Sequence, residues 1–475
     1  MVLIKRLYVR YYRNTILILS SFVFLFSCGN LINEEALNPS ENPEEFLSSP
    51  AIEFKTSFNN NISTAASLHL YAESDEFAFT GSIVNDNNIE NIWLGVLDKA
   101  GEKIFESIVS SDKDRRVTSQ LTDADGDFII VCNEIDPDTG DADILMFKIS
   151  HDRTIQWCTR LNFDTPAYSY DSIMLTDRSV IIACRYYDPD NNTYIPLLIK
   201  FDPTVYTCTC YRLNYVITSS NDIIYPVPVK ISSHVDDTIT VAGYFIDPST
   251  SRSCLSIAKF NSSMELTAEY NLIDSDKNLY ILDIIHENKT KDIFLICKSD
   301  TLFGRDEGFT LLKVSNDNSI KFENDYMISD FIFADNLISG SEGDFSVGGY
   351  SLDSSNNYSI TIVKFNYSGY MKEYRTLESD ISEIRQIVFS KSETQSAFSY
   401  IYSCNRINDD IDGTIIVRQI SDIAETKAVP GTALINVNKS TGTLSPVEFQ
   451  NVDVNVESFN NFTVDTGYLL DVEWK

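Results

Sequence analysis

The chain has 475 residues and a formal net charge of −32 at pH 7, from 69 Asp and Glu against 37 Lys and Arg. So large a negative charge disfavours nucleic acids and anionic membrane surfaces as partners, because both are polyanions. The 25 Tyr and 28 Phe, together with frequent Ile, Val, Ser, Thr and Asn, are typical of strands and turns. No convincing amphipathic helix follows the N-terminal segment, so the composition predicts an all-β fold.

The N-terminal segment has the two parts of a secretory signal. An apolar run from Ile16 to Phe26 follows a start that contains no acid but four cations, Lys5, Arg6, Arg10 and Arg13. The run is shorter than the roughly 20 apolar residues that span a bilayer. The run ends in Leu25-Phe26-Ser27-Cys28, which resembles the bacterial lipobox. This resemblance implies that residues 1–27 are removed and that Cys28 carries lipid; an uncleaved anchor and an ordinary signal peptide are the alternatives.

Residues 28–50 are acidic, rich in Asn, Ser and Pro, and without apolar periodicity. They are predicted to form a flexible tether between the lipid and a folded domain. Loss of the four signal cations would change the net charge from −32 to −36. We therefore expect the bacterial cell envelope as the location, with membrane attachment through the lipid on Cys28. The outer membrane or cell surface is favoured over the inner membrane.

A short β-rich run that ends on a small residue recurs seven times in the remaining sequence. The end points are 51, 52, 59, 54, 52 and 55 residues apart. Such a period is the sequence signature of a repeat architecture. The runs are Phe77–Gly81, Phe128–Cys132, Val180–Cys184, Ile239–Gly243, Ile293–Cys297, Phe345–Gly349 and Tyr400–Cys404.

Each of the first six runs is followed by a second one, such as Ile144–Ser150 or Pro196–Asp202. A third run follows, as in Glu265–Leu272, and a further strand precedes each small-residue run, as in Leu279–Ile285. Four antiparallel strands per repeat describe the blades of a β-propeller. The repeats predict seven blades, with eight as the alternative.

The ends of the repeat region leave the blade count open between those two numbers. Ala51–Phe58 is predicted to be an isolated outer strand that could complete the last blade. Val454–Trp474 contains another opening of the repeat type, which favours eight, and the seventh repeat carries an insertion near Asp422–Pro430.

The repeat sequence is similar to that of bacterial secreted and lipoprotein β-propellers. Val241-Ala242-Gly243-Tyr244 and Ala258-Lys259-Phe260-Asn261 carry this resemblance most clearly. The resemblance implies one propeller domain over residues 51–475. It implies no catalytic residues, because such proteins share a scaffold and not a chemistry.

Eight cysteines remain besides Cys28, and four of them occupy the small-residue position of the repeat: Cys132, Cys184, Cys297 and Cys404. Equivalent positions on different blades lie too far apart for a disulfide, which needs Cα atoms within about 7 Å. We predict that these four are buried free thiols. Cys208 and Cys210 lie on the same face of one strand and are also poor partners.

Two sets of charged residues could be taken for ligand sites. The first is a lysine that recurs in most repeats, for which covering strand edges or pairing with an adjacent acid is favoured. Its members are Lys148, Lys200, Lys259, Lys313 and Lys364, with Arg418 as the candidate in the seventh repeat. The second set, around Asp123, Asp125 and Asp127, has a spacing similar to that of a calcium-binding loop, but Phe128 stands where such a loop needs Gly. It is therefore predicted to be a tight acidic turn, and it supplies the weak metal candidates Asp123, Asp125 and Asp127.

The sequence contains no recognisable catalytic set, and no cofactor is predicted. We therefore favour a non-enzymatic, lipid-anchored binding or scaffold module for a protein or glycan partner. The alternative is a carbohydrate-active hydrolase or lyase that uses acidic residues on one propeller face, since sugars stack on aromatic rings and the chain is rich in Asp. Two carboxylates about 5–10 Å apart in an asymmetric cleft would favour the enzyme.

Overall fold

The computed structural model describes the strands of a β-propeller and most of their turns. The described residues are 52–54, 69–72, 76–84, 89–98, 103–123, 125–150, 154–213, 216–217, 223–248, 250–272, 277–287, 289–301, 309–326, 331–339, 344–352, 357–381, 383–391, 398–405, 414–420, 438–439, 444–446, 462–465 and 471–474. The predicted signal peptide, the tether and Cys28 lie outside these residues, as does the insertion near Asp422–Pro430.

The first strand, β1 (Ile52–Phe54), precedes three blades of consecutive antiparallel strands. Blade 1 contains β2 (His69–Ala72), β3 (Glu76–Val84), β4 (Glu90–Asp98) and β5 (Lys103–Ser110). Blade 2 contains β6 (Asp114–Thr122), β7 (Phe128–Ile135), β8 (Ala142–Ile149) and β9 (Ile155–Phe163). Blade 3 contains β10 (Ala167–Met174), β11 (Val180–Asp188), β12 (Thr193–Asp202) and β13 (Thr207–Arg212).

A short hairpin of β14 (Val216–Ile217) and β15 (Ile223–Ile224) connects blade 3 to three further blades. Blade 4 contains β16 (Val227–Ser233), β17 (Ile239–Asp247), β18 (Arg252–Phe260) and β19 (Leu266–Leu272). Blade 5 contains β20 (Lys277–His286), β21 (Ile293–Thr301), β22 (Phe309–Val314) and β23 (Ile320–Tyr326). Blade 6 contains β24 (Phe331–Ser339), β25 (Phe345–Leu352), β26 (Tyr358–Phe365) and β27 (Met371–Ile381).

The structure confirms the four-stranded antiparallel blade and corrects the number of blades. In the described part of the chain, six blades are made of four consecutive strands, whereas seven were expected, with eight as the alternative. The run that ends at Cys404 lies in another four-stranded antiparallel sheet, which we call the closing sheet because its fourth strand comes from the start of the described chain: β28 (Glu383–Lys391), β29 (Phe398–Asn405), β30 (Thr414–Ile420) and then β1. The closing sheet lies between blades 6 and 1, because β28 contacts both β24 and β2. The repeat in the sequence gives the number of β-rich runs. It does not show whether each run belongs to a sheet of four consecutive strands.

The C-terminal strands also show why the alternative of eight blades is wrong. Four short strands pair with the outer edges of existing blades: β31 (Asn438–Lys439) with blade 5, β32 (Leu444–Pro446) with blade 4, β33 (Phe462–Asp465) with blade 2, and β34 (Asp471–Trp474) with blade 1. The strand-like sequence near the C-terminus therefore extends blades that are already complete.

The apolar core lies between neighbouring blades, since the two faces of each sheet are covered by the next sheets in the ring. Between blades 3 and 4, the packed side chains are contributed by the second and third strands of both blades and by the inner strand β16. They include Ile181, Ala183, Leu198, Ile231, Ile239, Val241 and Phe260. Full burial of one such large apolar side chain contributes about 1.5–3 kcal/mol. These cores hold the inner strands, and the side chains beside the propeller axis, in a fixed arrangement.

Candidate functional site

The predicted acidic turn in blade 2 has the expected tight geometry, and its carboxylates contact protein cations. The Asp123 carboxylate accepts hydrogen bonds from the backbone N–H groups of Asp125 and Asp127. Lys148 Nζ lies 2.5 Å from Asp123 Oδ2 and 3.1 Å from Asp127 Oδ2, and Arg178 pairs with Asp125 at 3.1 Å. Across the described part of the chain, no group of three or more His, Cys, Asp or Glu side chains comes together as a metal site.

The recurring lysines form the structural pairs that the sequence favoured. Besides Lys148, Lys200 lies 2.9 Å from Asp177, Lys313 lies 3.1 Å from Asp292, and Lys364 Nζ lies 3.8 Å from the carboxylate of Asp344. In each case the acid is in the turn between the first and second strands of the same blade. Lys259 differs, because its ammonium group donates to the Asn318 side chain and to a backbone carbonyl of blade 5. The recurring lysines therefore stabilise turns, and they do not form a shared basic surface.

The cysteines at the small-residue position are free thiols where the structure describes them. Cys132, Cys184 and Cys297 are fully buried and unbridged, as predicted. Burial raises the pKa of the Cys132 thiol to about 12, so it is a poor nucleophile. The side chain of Cys404 lies outside the described part. These thiols are part of the packing and not of a reactive site.

A cluster of tyrosines around one arginine distinguishes blade 3 from the other blades. Arg185 directly follows the small residue Cys184 on β11 and is paired in register with Tyr168 on β10. Its guanidinium carbon lies 4.4 Å from the ring centroid of Tyr194, 5.4 Å from that of Tyr170 and 5.9 Å from that of Tyr168. We call these four residues the Arg185 cluster, and all four are partly exposed.

Further aromatic rings continue from the cluster. Tyr187 contacts Tyr194 edge to face at 5.4 Å. On the neighbouring blades, Tyr244 of blade 4 contacts Tyr280 of blade 5 at 5.6 Å. Offset and edge-to-face pairs of this kind add about 0.5–1.5 kcal/mol beyond area burial. The rings are thus held in place and still present polar hydroxyls and apolar faces.

Arg185 has no acidic partner among the described residues, although other arginines of the protein have one. Its Nε atom is buried and makes no hydrogen bond. By contrast, Arg115 donates to Glu134 from both Nε and Nη2, at 3.0 and 2.9 Å. The tyrosine rings supply part of the missing compensation, because a cation over an aromatic face gains about 0.5–2 kcal/mol. The arrangement leaves a guanidinium group available for an anion.

The hydroxyl of Tyr170 stays protonated beside this guanidinium. Burial raises its pKa to about 12, which outweighs the opposing effect of Arg185. Tyr170 is the extra residue of a β-bulge, because the register of β10 against β11 shifts between Ser169 and Asp171. A bulge of this kind redirects a side chain. Here the Tyr170 ring contacts the guanidinium group of Arg185.

Two carboxylates, one in blade 3 and one in blade 5, bind the inner strands to one another. Asp171 Oδ2 accepts the backbone N–H of Ile231 in blade 4 at 3.1 Å, and Asp283 Oδ2 accepts that of Leu337 in blade 6 at 2.7 Å. Burial raises the pKa of Asp171 to about 6, and it also raises that of Asp283; the positive charge of Lys230 opposes both shifts. Each carboxylate thus has a structural role, because it joins the inner strands of two blades. A pair of acids that hydrolyses a substrate would not need these hydrogen bonds.

Sequence reasoning missed the Arg185 cluster, although two signals were present. The interval of 59 residues between Cys184 and Gly243 is the longest in the repeat, and it contains the β14–β15 hairpin that connects blade 3 to blade 4. In addition, five tyrosines occur between residues 168 and 194: Tyr168, Tyr170, Tyr186, Tyr187 and Tyr194. An irregular interval and a dense aromatic segment at one blade together point to a specialised surface.

Comparison with known proteins adds no family assignment. No protein-family profile and no curated protein matches the chain. Among solved structures, a subtype N11 neuraminidase-like protein of A/flat-faced bat/Peru/033/2010 (H18N11) is similar at 9% identity and a TM-score of 0.28, over 58% of this chain and 83% of that one. A eukaryotic initiation factor is similar at 8% identity and a TM-score of 0.23, over 65% and 97% of the two chains. The assignment of the protein to the β-propellers therefore rests on the blades seen in its own structure.

The part of the chain that the structure describes contains no helix with the length and apolarity that a membrane span requires.

Proposed function

We propose that the protein is a lipid-anchored binding module of the bacterial cell envelope, attached through Cys28 and acting without catalysis on a protein or glycan partner. The observation that carries the proposal is the Arg185 cluster of blade 3: a guanidinium that has no acidic partner among the described residues and that lies among partly exposed tyrosines. Tyr and Arg are enriched where binding energy is concentrated, because both combine large contact area with directed hydrogen bonds. The outer membrane or cell surface is the proposed location.

A binding role also fits the other charged groups of the propeller. The recurring lysines are paired or bonded within the fold, and Asp171 and Asp283 accept backbone hydrogen bonds. The role of a hydrolase or lyase would need carboxylates that reach a substrate. We therefore place the enzymatic alternative second.

The proposal is tested with the full-length protein in detergent, immobilised and exposed to envelope extract and to an array of glycans. The wild type should retain a defined partner, and the double variant Arg185→Gln, Tyr194→Leu should lose at least nine tenths of it. Arg178→Gln is the matched control, since Arg178 is an exposed arginine of the same blade that pairs with Asp125. Retention of nothing above background, or equal retention by the double variant, would contradict the proposal.

The same glycan array distinguishes the enzymatic alternative from the binding module. Glycans recovered from the column are sized before and after contact with the protein. Shortened chains, together with their absence when Asp171→Asn is used, would make the protein an enzyme. Unchanged chains that are retained by the wild type support a binding module.

A further inference from the structure

We propose that the ligand of the Arg185 cluster is a saccharide that bears a carboxylate group, as a uronic acid does. This inference rests on the proposed binding function and names the chemical class of its ligand. It is argued from the charge, the donors and the ring surfaces of the cluster.

The positive charge of Arg185 favours an anionic ligand. The chain carries 69 acids, yet none of those described pairs with Arg185, whereas Arg115, Arg116, Arg160 and Arg178 each pair with an acid. A partly buried guanidinium without a counter-ion costs free energy, and an incoming carboxylate lowers that cost. Planar guanidinium groups bind carboxylates with two parallel hydrogen bonds, which gives both strength and orientation.

The remaining groups fit a sugar ring. The Tyr170 hydroxyl, protonated at neutral pH, can donate a hydrogen bond beside the guanidinium. Tyr187 and Tyr194, whose rings meet edge to face at 5.4 Å and are both partly exposed, supply apolar ring surface. A pyranose offers what these groups require: C–H bonds for an aromatic face, hydroxyls for polar neighbours, and one carboxylate on a rigid ring. An acidic peptide carries its carboxylates on flexible side chains that lack such a face.

The overall charge limits the ligand to one with few negative charges. A net charge of −32 repels long, densely charged polyanions. Short saccharides with one carboxylate per ring satisfy Arg185 with less repulsion. The expected ligand is therefore a short acidic segment or chain end of a polysaccharide.

The test is isothermal titration of the full-length protein in detergent with three probes: trigalacturonic acid, its methyl ester and a tri-aspartate peptide. The ester keeps the rings and removes only the charge. We expect trigalacturonic acid to bind at least ten-fold more tightly than the ester or the peptide, because the ester lacks the charged acceptor and the peptide lacks the sugar rings. A ten-fold difference in affinity corresponds to about 1.4 kcal/mol. Equal affinity for the ester would overturn the inference, and preference for the peptide would identify a protein ligand instead.

Variants separate the contribution of each group. Arg185→Gln should weaken binding of trigalacturonic acid at least ten-fold, and Arg185→Lys should recover only part of it, because Lys keeps the charge without the planar donors. Tyr194→Leu should weaken binding while Tyr194→Phe retains it. Arg178→Gln is again the control, and thermal melting shows whether each variant is folded.

Failure of this inference is distinguishable from failure of the proposed function. If the envelope extract yields a partner that depends on Arg185 but trigalacturonic acid does not bind, the binding module stands and the ligand class is wrong. If neither the extract nor the array yields a partner, the proposed function fails as well.

Discussion

The substitution Gly243→Ala tests the physical reason for the small residue of the repeat. Gly243 is paired with Pro228 on the inner strand of blade 4. A Cβ atom added at residue 243 would lie 2.1 Å from the carbonyl oxygen of Val227 and 2.9 Å from its carbonyl carbon. The closest usual C···O approach is about 3.3 Å, and a backbone carbonyl cannot rotate out of the way as a side chain can. The inner strand must therefore move by roughly 1 Å.

The expected cost is at the upper end of the range for overpacking, about 3 kcal/mol in the free energy of unfolding. Cys184→Ala is the matched control, because Cys184 occupies the equivalent position on blade 3, is fully buried and already has a Cβ atom. Removal of one sulfur atom from that site should cost about 1 kcal/mol. Urea unfolding followed by circular dichroism measures both variants. If Gly243→Ala is no more destabilising than Cys184→Ala, the crowding of the inner strand is not the reason for a small residue.

Further predictions concern the anchor, the thiols, the buried histidine and the lysine pairs. Cys28→Ala should abolish labelling with palmitate and leave the protein soluble or unprocessed; a variant that still labels and partitions into detergent would contradict the lipoprotein prediction. A reducing agent should hardly change the melting temperature, because the described cysteines form no disulfides: Cys132, Cys158, Cys184, Cys208, Cys210, Cys254 and Cys297. A thiol count that finds six or more of the eight cysteines oxidised would contradict this prediction. Burial lowers the pKa of His286 to about 3, so between pH 6.5 and 3 the unfolded state binds the extra proton and stability falls as the pH falls. Between pH 6.5 and 5 the wild type should lose about 2 kcal/mol that His286→Gln does not lose, as measured by urea unfolding at both pH values. Lys148→Met should cost about 3 kcal/mol by the same measurement, because it leaves two nearly buried carboxylates without their cation. Lys200→Met should cost less than about 1 kcal/mol, since its partner Asp177 has a side chain that is 55% exposed; equal losses would refute the burial argument.

The strands and the packing position of the repeat could be predicted from the sequence. The runs that end at Cys132, Cys184, Gly243 and Cys297 each lie in the second strand of a blade, as expected. Strand formation depends mainly on local composition, on alternation and on turn residues, and all of these can be recognised in a single sequence. The sequence also showed that this position takes only small residues, and the structure places it against the inner strand.

The assembly of the sheets and the Arg185 cluster were decided by the tertiary structure. Whether β1 and the strands after residue 437 form new blades or pair with existing sheets depends on which edges remain open once the ring has formed. The Arg185 cluster joins residues of three strands, β10, β11 and β12, whose register and bulge bring Tyr170 and Tyr194 to one guanidinium. A one-residue change of register would move such a side chain to the opposite face of the sheet, so sequence spacing alone could not bring these groups together. The sequence by itself determined the repeating strands and their small-residue position. Strand register and the bulge of blade 3 decided the site, because the pairing of strands brings together residues that are distant in the sequence.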